Sequence, residues 1–177
     1  MATTKWILDP SHSEVGFKIR HLMVTNVSGS FNSFSATAET TGEDFSNATV
    51  EFSADTDSIT TNSEQRDQHL KSADFFDTAS FPKITFKATQ FKKIDEEEYE
   101  LTGDLTMKDV TRPVKLKAEF GGVAKDPWGN TKAGFTVTGK INRKDFGLNW
   151  NTALETGGVM LSEEVRLHSE IQLIKQA

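Results

Sequence analysis

Catalysis and metal binding need nucleophiles, acid–base pairs or ligand clusters at workable spacings, and in this sequence the residues able to supply them are scattered. There is no cysteine, which excludes a thiolate nucleophile, a thiolate metal site and a disulfide framework together. His12, His21, His69 and His168 form no i, i+2 or i, i+4 pair, so a zinc site would have to be assembled from distant positions. Asp55 and Asp57 open in the manner of a calcium loop, but Ile59 and Thr60 stand where a ligand and the required glycine belong. No G-x-S-x-G elbow, phosphate-binding glycine loop or G-x-G-x-x-G occurs. The expectation is therefore no catalytic residue, no catalytic cofactor and no metal. Arg66, Asp67 and His69 crowd one short stretch and can form a polar mouth, or simply a solvated face. Glu96 to Glu98 read as a solvated turn rather than acid–base machinery.

The elements that would position such groups are strands. Apolar and polar residues alternate along most of the chain, the period-two signature of strands with one buried face. The clearest runs are Val15-Phe17-Ile19-His21, Val50-Phe52-Ala54, Ile84-Phe86-Ala88 and Tyr99-Leu101-Gly103-Leu105-Met107. Later come Val114-Leu116-Ala118-Phe120, Phe135-Val137-Gly139-Ile141 and Val165-Leu167-Ser169-Ile171-Leu173. Lys108-Asp109 and the stretch Asp126 to Asn130 read as turns between antiparallel neighbours. The exception to the β pattern is Asn62 to Ser72, where Asn62 can cap a short helix through Glu64, Gln65 and Leu70. Phe75, Phe76 and Phe81 follow, just before Pro82, and can form a lid over one end or a connector with a satellite core.

Long one-sided strands without covering helices must pair as a two-sheet sandwich or close into a barrel. Strand length favours an all-β, closed antiparallel up-and-down barrel of about eight strands, with one short helix near its mouth. The inward phase has small residues at its middle positions: Gly103, Ala118, Gly139 and Ser169, each between two large apolar neighbours. Such a belt can leave an apolar tube along the axis, or it can mark strand bends and barrel taper. In the open-tube reading the wall comprises Phe17, Ile19, His21, Phe31 and Phe52 from the first strands and Phe75, Phe76 and Phe86 from the middle of the chain. Leu101, Gly103, Leu105, Leu116 and Ala118 continue it, followed by Phe135, Val137, Gly139, Phe146, Leu167 and Ser169. His21, on the inward phase, can meet a ligand's head group or serve as a hydrogen-bonded structural histidine. Such a tube suits a long apolar chain, because each buried methylene gains about 0.8 kcal/mol.

Bulk properties narrow the partners. A chain of 177 residues is what one domain, 1–177, needs to bury a sizeable core. With 26 acidic against 20 basic residues the surface should repel phosphate backbones, so nucleic acid is not an expected partner. No stretch approaches the roughly 18 apolar residues of a membrane-spanning helix, so no stable membrane insertion is expected. Met1 to Leu8 lacks a secretory apolar region, which predicts a cytoplasmic chain as written and a periplasmic one only if an export signal has been trimmed. The sequence leaves oligomeric state, including a homodimer, open.

One set of residues carries a resemblance. Trp6-x-x-Asp9-Pro10-x-His12-Ser13-x-x-x-Phe17 runs into Arg20-His21-Leu22-Met23-Val24 and Val27-x-Gly29-x-Phe31. Ser58-Ile59-x-Thr61-Asn62 leads to Arg66-Asp67-x-His69-Leu70, Asp74-Phe75-Phe76-Asp77 and Phe81-Pro82-x-Ile84-x-Phe86. Gly103-Asp104-Leu105-Thr106, Val110-Thr111-Arg112-Pro113, Ala133-Gly134-Phe135 and Arg143-x-Asp145-Phe146-Gly147 complete the series. Nearly the whole chain thereby resembles the YceI-like family of bacterial polyisoprenoid-binding proteins. The resemblance implies an extended lipocalin-like barrel whose interior accommodates an isoprenoid quinone, a polyprenyl chain or another long-chain amphiphile, and it supplies no catalytic residue. Many members carry an export signal, and the N-terminus written here shows none. The resulting expectation is non-catalytic binding, storage or transport of an isoprenoid or long-chain lipid ligand. A stress-related interaction protein with a filled barrel, and an enzyme acting on an isoprenoid chain, are the alternatives.

Overall fold

A computed structural model describes residues 3–22, 24–42, 44–151 and 161–177; Met23, part of the N-terminal resemblance, lies outside the described residues. Strands β1 (Thr4–Leu8), β2 (Glu14–His21), β3 (Thr25–Phe31), β4 (Phe34–Thr40), β5 (Thr49–Asp55) and β6 (Ile59–Thr60) precede helix α1 (Glu64–Lys71). Five long strands follow: β7 (Lys83–Lys93), β8 (Glu98–Met107), β9 (Val110–Lys125), β10 (Thr131–Asn142) and β11 (Leu161–Lys175). All pairings are antiparallel. The order β1-β4-β5-β7-β8-β9-β10-β11 closes into an eight-membered ring because β1 pairs with both β4 and β11. At the other end β11 pairs instead with β2, which continues through β3 to β6. Helix α1 follows β6 directly and precedes β7.

The ring thus rests on one bent strand, β1 and β2, laid along β11. The bend falls in the first motif of the sequence. Pro10 to His12 form a 3₁₀ turn capped by Asp9, whose Oδ1 accepts from the Ser11 amide at 3.1 Å and from Ser11 Oγ at 2.7 Å. Asp9 Oδ2 lies 2.8 Å from His12 Nδ1 and accepts from Lys132 Nζ of β10 at 3.0 Å. Here the β11 ladder changes partner, and side chains and loop amides satisfy the groups left between. The Gln172 amide donates to Ser13 Oγ at 3.0 Å, and the Gln172 carbonyl accepts from the Asp9 amide at 2.8 Å. Asp9 is buried. The Ser11 hydroxyl foremost, then His12 and Lys132, hold its carboxyl far below the ordinary carboxylate range against the opposing effect of burial.

The turns read from the sequence form as expected. Lys108 and Asp109 both adopt positive φ (50° and 60°), the two-residue hairpin geometry whose twist matches the strands it joins. Asp126 Oδ1 accepts from the amides of Trp128 and Asn130 at 2.9 Å each, closing the β9–β10 connection. The helix cap differs by one residue: Ser63, not Asn62, is the cap, with Oγ accepting from the Arg66 amide at 3.4 Å. Asn62 takes a left-handed conformation (φ 64°), which presents Ser63 at the helix start.

The glycines of the inward phase do not leave gaps. A Cβ on Gly103 would stand 2.5 Å from Phe86 Cζ and 2.6 Å from the Lys87 carbonyl oxygen. One on Gly139 would collide with Leu116 Cδ2, and one on Gly29 with the far edge of the Phe17 ring. In each case a large side chain from the neighbouring strand lies over the glycine. This corrects the expectation that Gly103 and Gly139 open the tube directly: their vacant volume is taken by Phe86 and Leu116, which reach sideways along the wall.

Two outcomes follow from these contacts. Gly103→Ala should destabilise the fold by about 1–3 kcal/mol, because the added methyl meets fixed backbone as well as a ring. Gly42→Ala, where a Cβ meets nothing within 4 Å, should stay within about 0.5 kcal/mol in the same denaturant titration. Equal effects would remove the packing account. For Asp9, a folded-state pKa below the ordinary 3.8 means that its contribution is fully present above 3.8 and is lost as pH falls through the folded value. Asp9→Asn should lower stability at neutral pH by about 1.5–3 kcal/mol and flatten the acid limb of the stability–pH curve. An unchanged acid limb would show that the bend is held by something else.

Candidate functional site

The barrel interior contains a cavity of about 630 Å³, within the usual range for a small-molecule site. It reaches from buried aromatics of the closed ring to helix α1 at the opposite end. The floor is an aromatic cluster. Phe91 stacks on Tyr99 with centroids 4.9 Å apart, and Phe45 meets Phe135 edge-on at 4.9 Å. Trp6 and Phe120 pack on Phe45 from either side at 5.1 and 5.9 Å. Phe45 comes from the β4–β5 connection, held under the barrel by its amide donating to the Tyr99 hydroxyl (3.3 Å) and by the Asn47 amide donating to the Phe91 carbonyl (2.8 Å). Such ring pairs add to the burial of large apolar area, so this end is closed by tightly packed groups.

Polar groups gather at the other end. His21 ends β2, while Thr61, Ser63, Gln65, Arg66 and His69 line the cavity from β6 to α1. Gln65 and Arg66 are exposed as well as cavity-lining, so the cavity meets solvent there. Arg66 is fixed by donating through Nε to Thr61 Oγ1 and through Nη2 to the Thr61 carbonyl, both at 2.7 Å. His69 Nε2 lies 2.8 Å from Asp74 Oδ2. Its ring stands edge-on to Phe75 (5.1 Å) and to Trp150 (4.9 Å). Phe76 meets Phe31 edge-on at 6.0 Å. The helix and the Phe75-Phe76 pair therefore form an aromatic rim at the mouth. Phe81 stays off the cavity wall, its carbonyl accepting from Thr56 Oγ1 at 2.8 Å.

Most residues read as tube-facing do face the cavity. Phe17, Ile19, His21, Phe31 and Phe52 do so, as do Phe75, Phe76 and Phe86. So do Leu101, Leu105, Leu116 and Ala118, and then Phe135, Val137, Leu167 and Ser169. Gly103 and Gly139 are off the wall for the packing reason given above. Phe146 is also off it: it lies in the 3₁₀ turn Arg143–Phe146 after β10, where the period-two phase has ended, and it is buried in the core. At the mouth, Arg66 and His69 line the cavity and Asp67 does not, because its Oδ1 accepts from both the amide and the hydroxyl of Thr61, at 2.8 and 2.6 Å.

Among the wall residues that escaped the sequence reading are Phe45, Trp150 and Arg143. Arg143 is 2% exposed. Its Nε donates to the Ser162 carbonyl (2.8 Å), and its Nη1 donates to the carbonyls of Leu148 (2.6 Å) and Trp150 (2.8 Å). Burial lowers its pKa below the ordinary guanidinium value, opposed by the field of Glu163. The one sequence signal for it was its place in the run Arg143-x-Asp145-Phe146-Gly147. Among the described residues no group of three or more His, Asp or Glu side chains is placed to hold a metal ion, and no helix is long and apolar enough to cross a membrane.

Comparison with known proteins identifies the architecture. Residues 6–173 match the family model described as YceI-like domain. A UPF0312 protein of Staphylococcus aureus strain N315 is 43% identical over 170 residues, covering 96% of each chain. The crystal structure of the Campylobacter jejuni YCEI protein superposes with a TM-score of 0.78 at 36% identity, again covering 96% of each chain. A polyisoprenoid binding domain from Saccharophagus degradans implicated in plant cell wall breakdown shares the fold, with a TM-score of 0.73 at 14% identity over 97% of this chain and 98% of its own. The closed eight-stranded antiparallel barrel with helix α1 at its mouth, the motifs along the strands and this agreement over nearly the full length lead to one conclusion: the chain belongs to the YceI-like family.

Proposed function

We propose that the chain binds a long-chain amphiphile, an isoprenoid or acyl lipid, in the barrel interior and holds it as a non-catalytic carrier or store. The observation that carries this reading is the polarity of the cavity along its length: an aromatic floor, apolar walls, and polar groups gathered at the mouth beside α1. That gradient matches a molecule with one long apolar arm and one polar head. About 0.8 kcal/mol per buried methylene drives the arm inward, and the entropy of ordering a flexible chain opposes it. The neighbour from Saccharophagus degradans, described as a polyisoprenoid binding domain, supports the ligand class. The filled-barrel alternative fits poorly with a cavity of about 630 Å³. The enzymatic alternative would need further groups around the one histidine–carboxylate pair at the mouth, His69 with Asp74 at 2.8 Å, and among the described wall residues no carboxylate faces the ligand.

Protein purified without denaturation should release a stoichiometric long-chain lipid on organic extraction, identified by mass spectrometry. Preparations that yield none, from protein that also takes up no added polyprenyl or acyl compound, would sink the carrier reading. Ala118 tests the cavity itself. It is 1% exposed and on the wall, paired with Tyr99 on one side and Val137 on the other. Ala118→Leu should push its side chain into ligand space, so that lipid occupancy falls sharply while the lipid-free melting temperature stays at or above that of the parent. A filled core would respond with the opposite sign, losing about 1–3 kcal/mol to overpacking.

A further inference from the structure

We propose that the cavity mouth seats an acidic head group, a carboxylate or a phosphate at the end of a long apolar chain, against the guanidinium of Arg143. This rests on the lipid-carrier reading and adds the chemistry of the head. Its first support is the sign of the wall. The charged side chains on the described wall are Arg66 and Arg143, with His21 and His69 beside them, and no Asp or Glu lines the cavity. This is so in a chain whose formal net charge is −6. Asp67 and Asp74 stand just behind the mouth, engaged by Thr61 and His69, so the charge presented to the cavity itself is that of the two arginines.

The second support is Arg143 itself. Its Nε and Nη1 are satisfied by three carbonyls, whereas Nη2 is buried with no hydrogen-bond partner among the described residues. Glu163, the carboxylate whose field reaches Arg143, is engaged by Lys144 Nζ at 2.9 Å. Neutral carbonyls accept hydrogen bonds but do not cancel a charge, and a buried cation without a counter-charge is costly. A ligand oxygen bearing negative charge supplies both the missing acceptor and the missing counter-charge, in the charge-assisted geometry that guanidinium favours. A neutral quinone or alcohol supplies only an acceptor. If Arg143 were merely a strut for residues 148, 150 and 162, its three bonds would be explained, but neither the orphaned Nη2 nor the one-signed wall would be. The Trp150 carbonyl that it holds also fixes the ring packed against His69 and Phe75, so the head-group seat and the aromatic rim form one unit.

The test pairs two ligands with the same arm, hexadecanoate and hexadecanol, titrated by displacement of a fluorescent lipid from the delipidated full chain at pH 8. Hexadecanoate should bind about tenfold or more tightly, and the ratio should fall toward one in Arg143→Gln. Equal affinity for the two in the parent protein overturns the proposal, as does a ratio undiminished in a folded Arg143→Gln. Because Arg143 also ties three carbonyls, that variant can fail to fold. A crystal structure of the parent chain with hexadecanoate then decides, with the carboxylate within hydrogen-bonding distance of Arg143 supporting the proposal and a head placed anywhere else overturning it. If neither ligand binds, and no polyprenyl compound does, the carrier reading itself has failed, an outcome distinct from equal binding.

Discussion

An eight-stranded barrel is barely wide enough for its own side chains, so any room for a ligand has to be made by moving side-chain volume off the axis. This constraint governs the rest of the molecule. Phe17, Phe86 and Leu116 meet it by leaning across to the next strand and lying over Gly29, Gly103 and Gly139. Between floor and mouth the wall remains largely apolar and closely packed, while its bulk is spread along the sheet instead of projecting inward. A Cβ at any of the three would strike the side chain that covers it, and at Gly103 it would also meet fixed backbone.

The same economy shapes the two ends. The floor is closed by rings, since Phe45 is brought beneath the barrel by loop amides donating to the Tyr99 hydroxyl and the Phe91 carbonyl and is met by Trp6, Phe120 and Phe135. The mouth is built by elements that leave the ring: β2, β3 and β6 depart from β11, and α1 follows them. Strand ends and a short helix bring polar side chains with them, which is why the polarity of the cavity changes along its axis. Arg143 stands where these pieces meet, tying the segment after β10 to the first residues of β11.

Much of this was legible in the sequence because a strand with one wet face writes its orientation in alternate residues. Phe135 and Val137, or Leu101 and Leu105, could be placed inward from spacing alone, and the Lys108-Asp109 turn and the helix before Phe75 were marked by local chemistry. What alternation cannot show is how far a side chain leans, so Gly103 and Gly139 read as gaps when they are seats for their neighbours. Nor does it reach residues whose burial is made by distant chain. Phe45 lies in a polar loop between Asp44 and Ser46, and Arg143 in a charged run between Asn142 and Lys144 that reads as solvated. Each is buried only because residues far along the sequence or in another element fold around it.

The ring is closed by three pairs, Trp6 with Lys175, Ile7 with Ile174 and Leu8 with Leu173. These join the first strand of the chain to its last, so the contact with the greatest sequence separation is also the one that completes the barrel. A chain emerging from the ribosome can form the β7–β8, β8–β9 and β9–β10 hairpins as they appear, but β1 has no second partner until β11 has been made. Until then the half-built wall is a curved apolar sheet with free edges, the state in which such a protein is most exposed to aggregation.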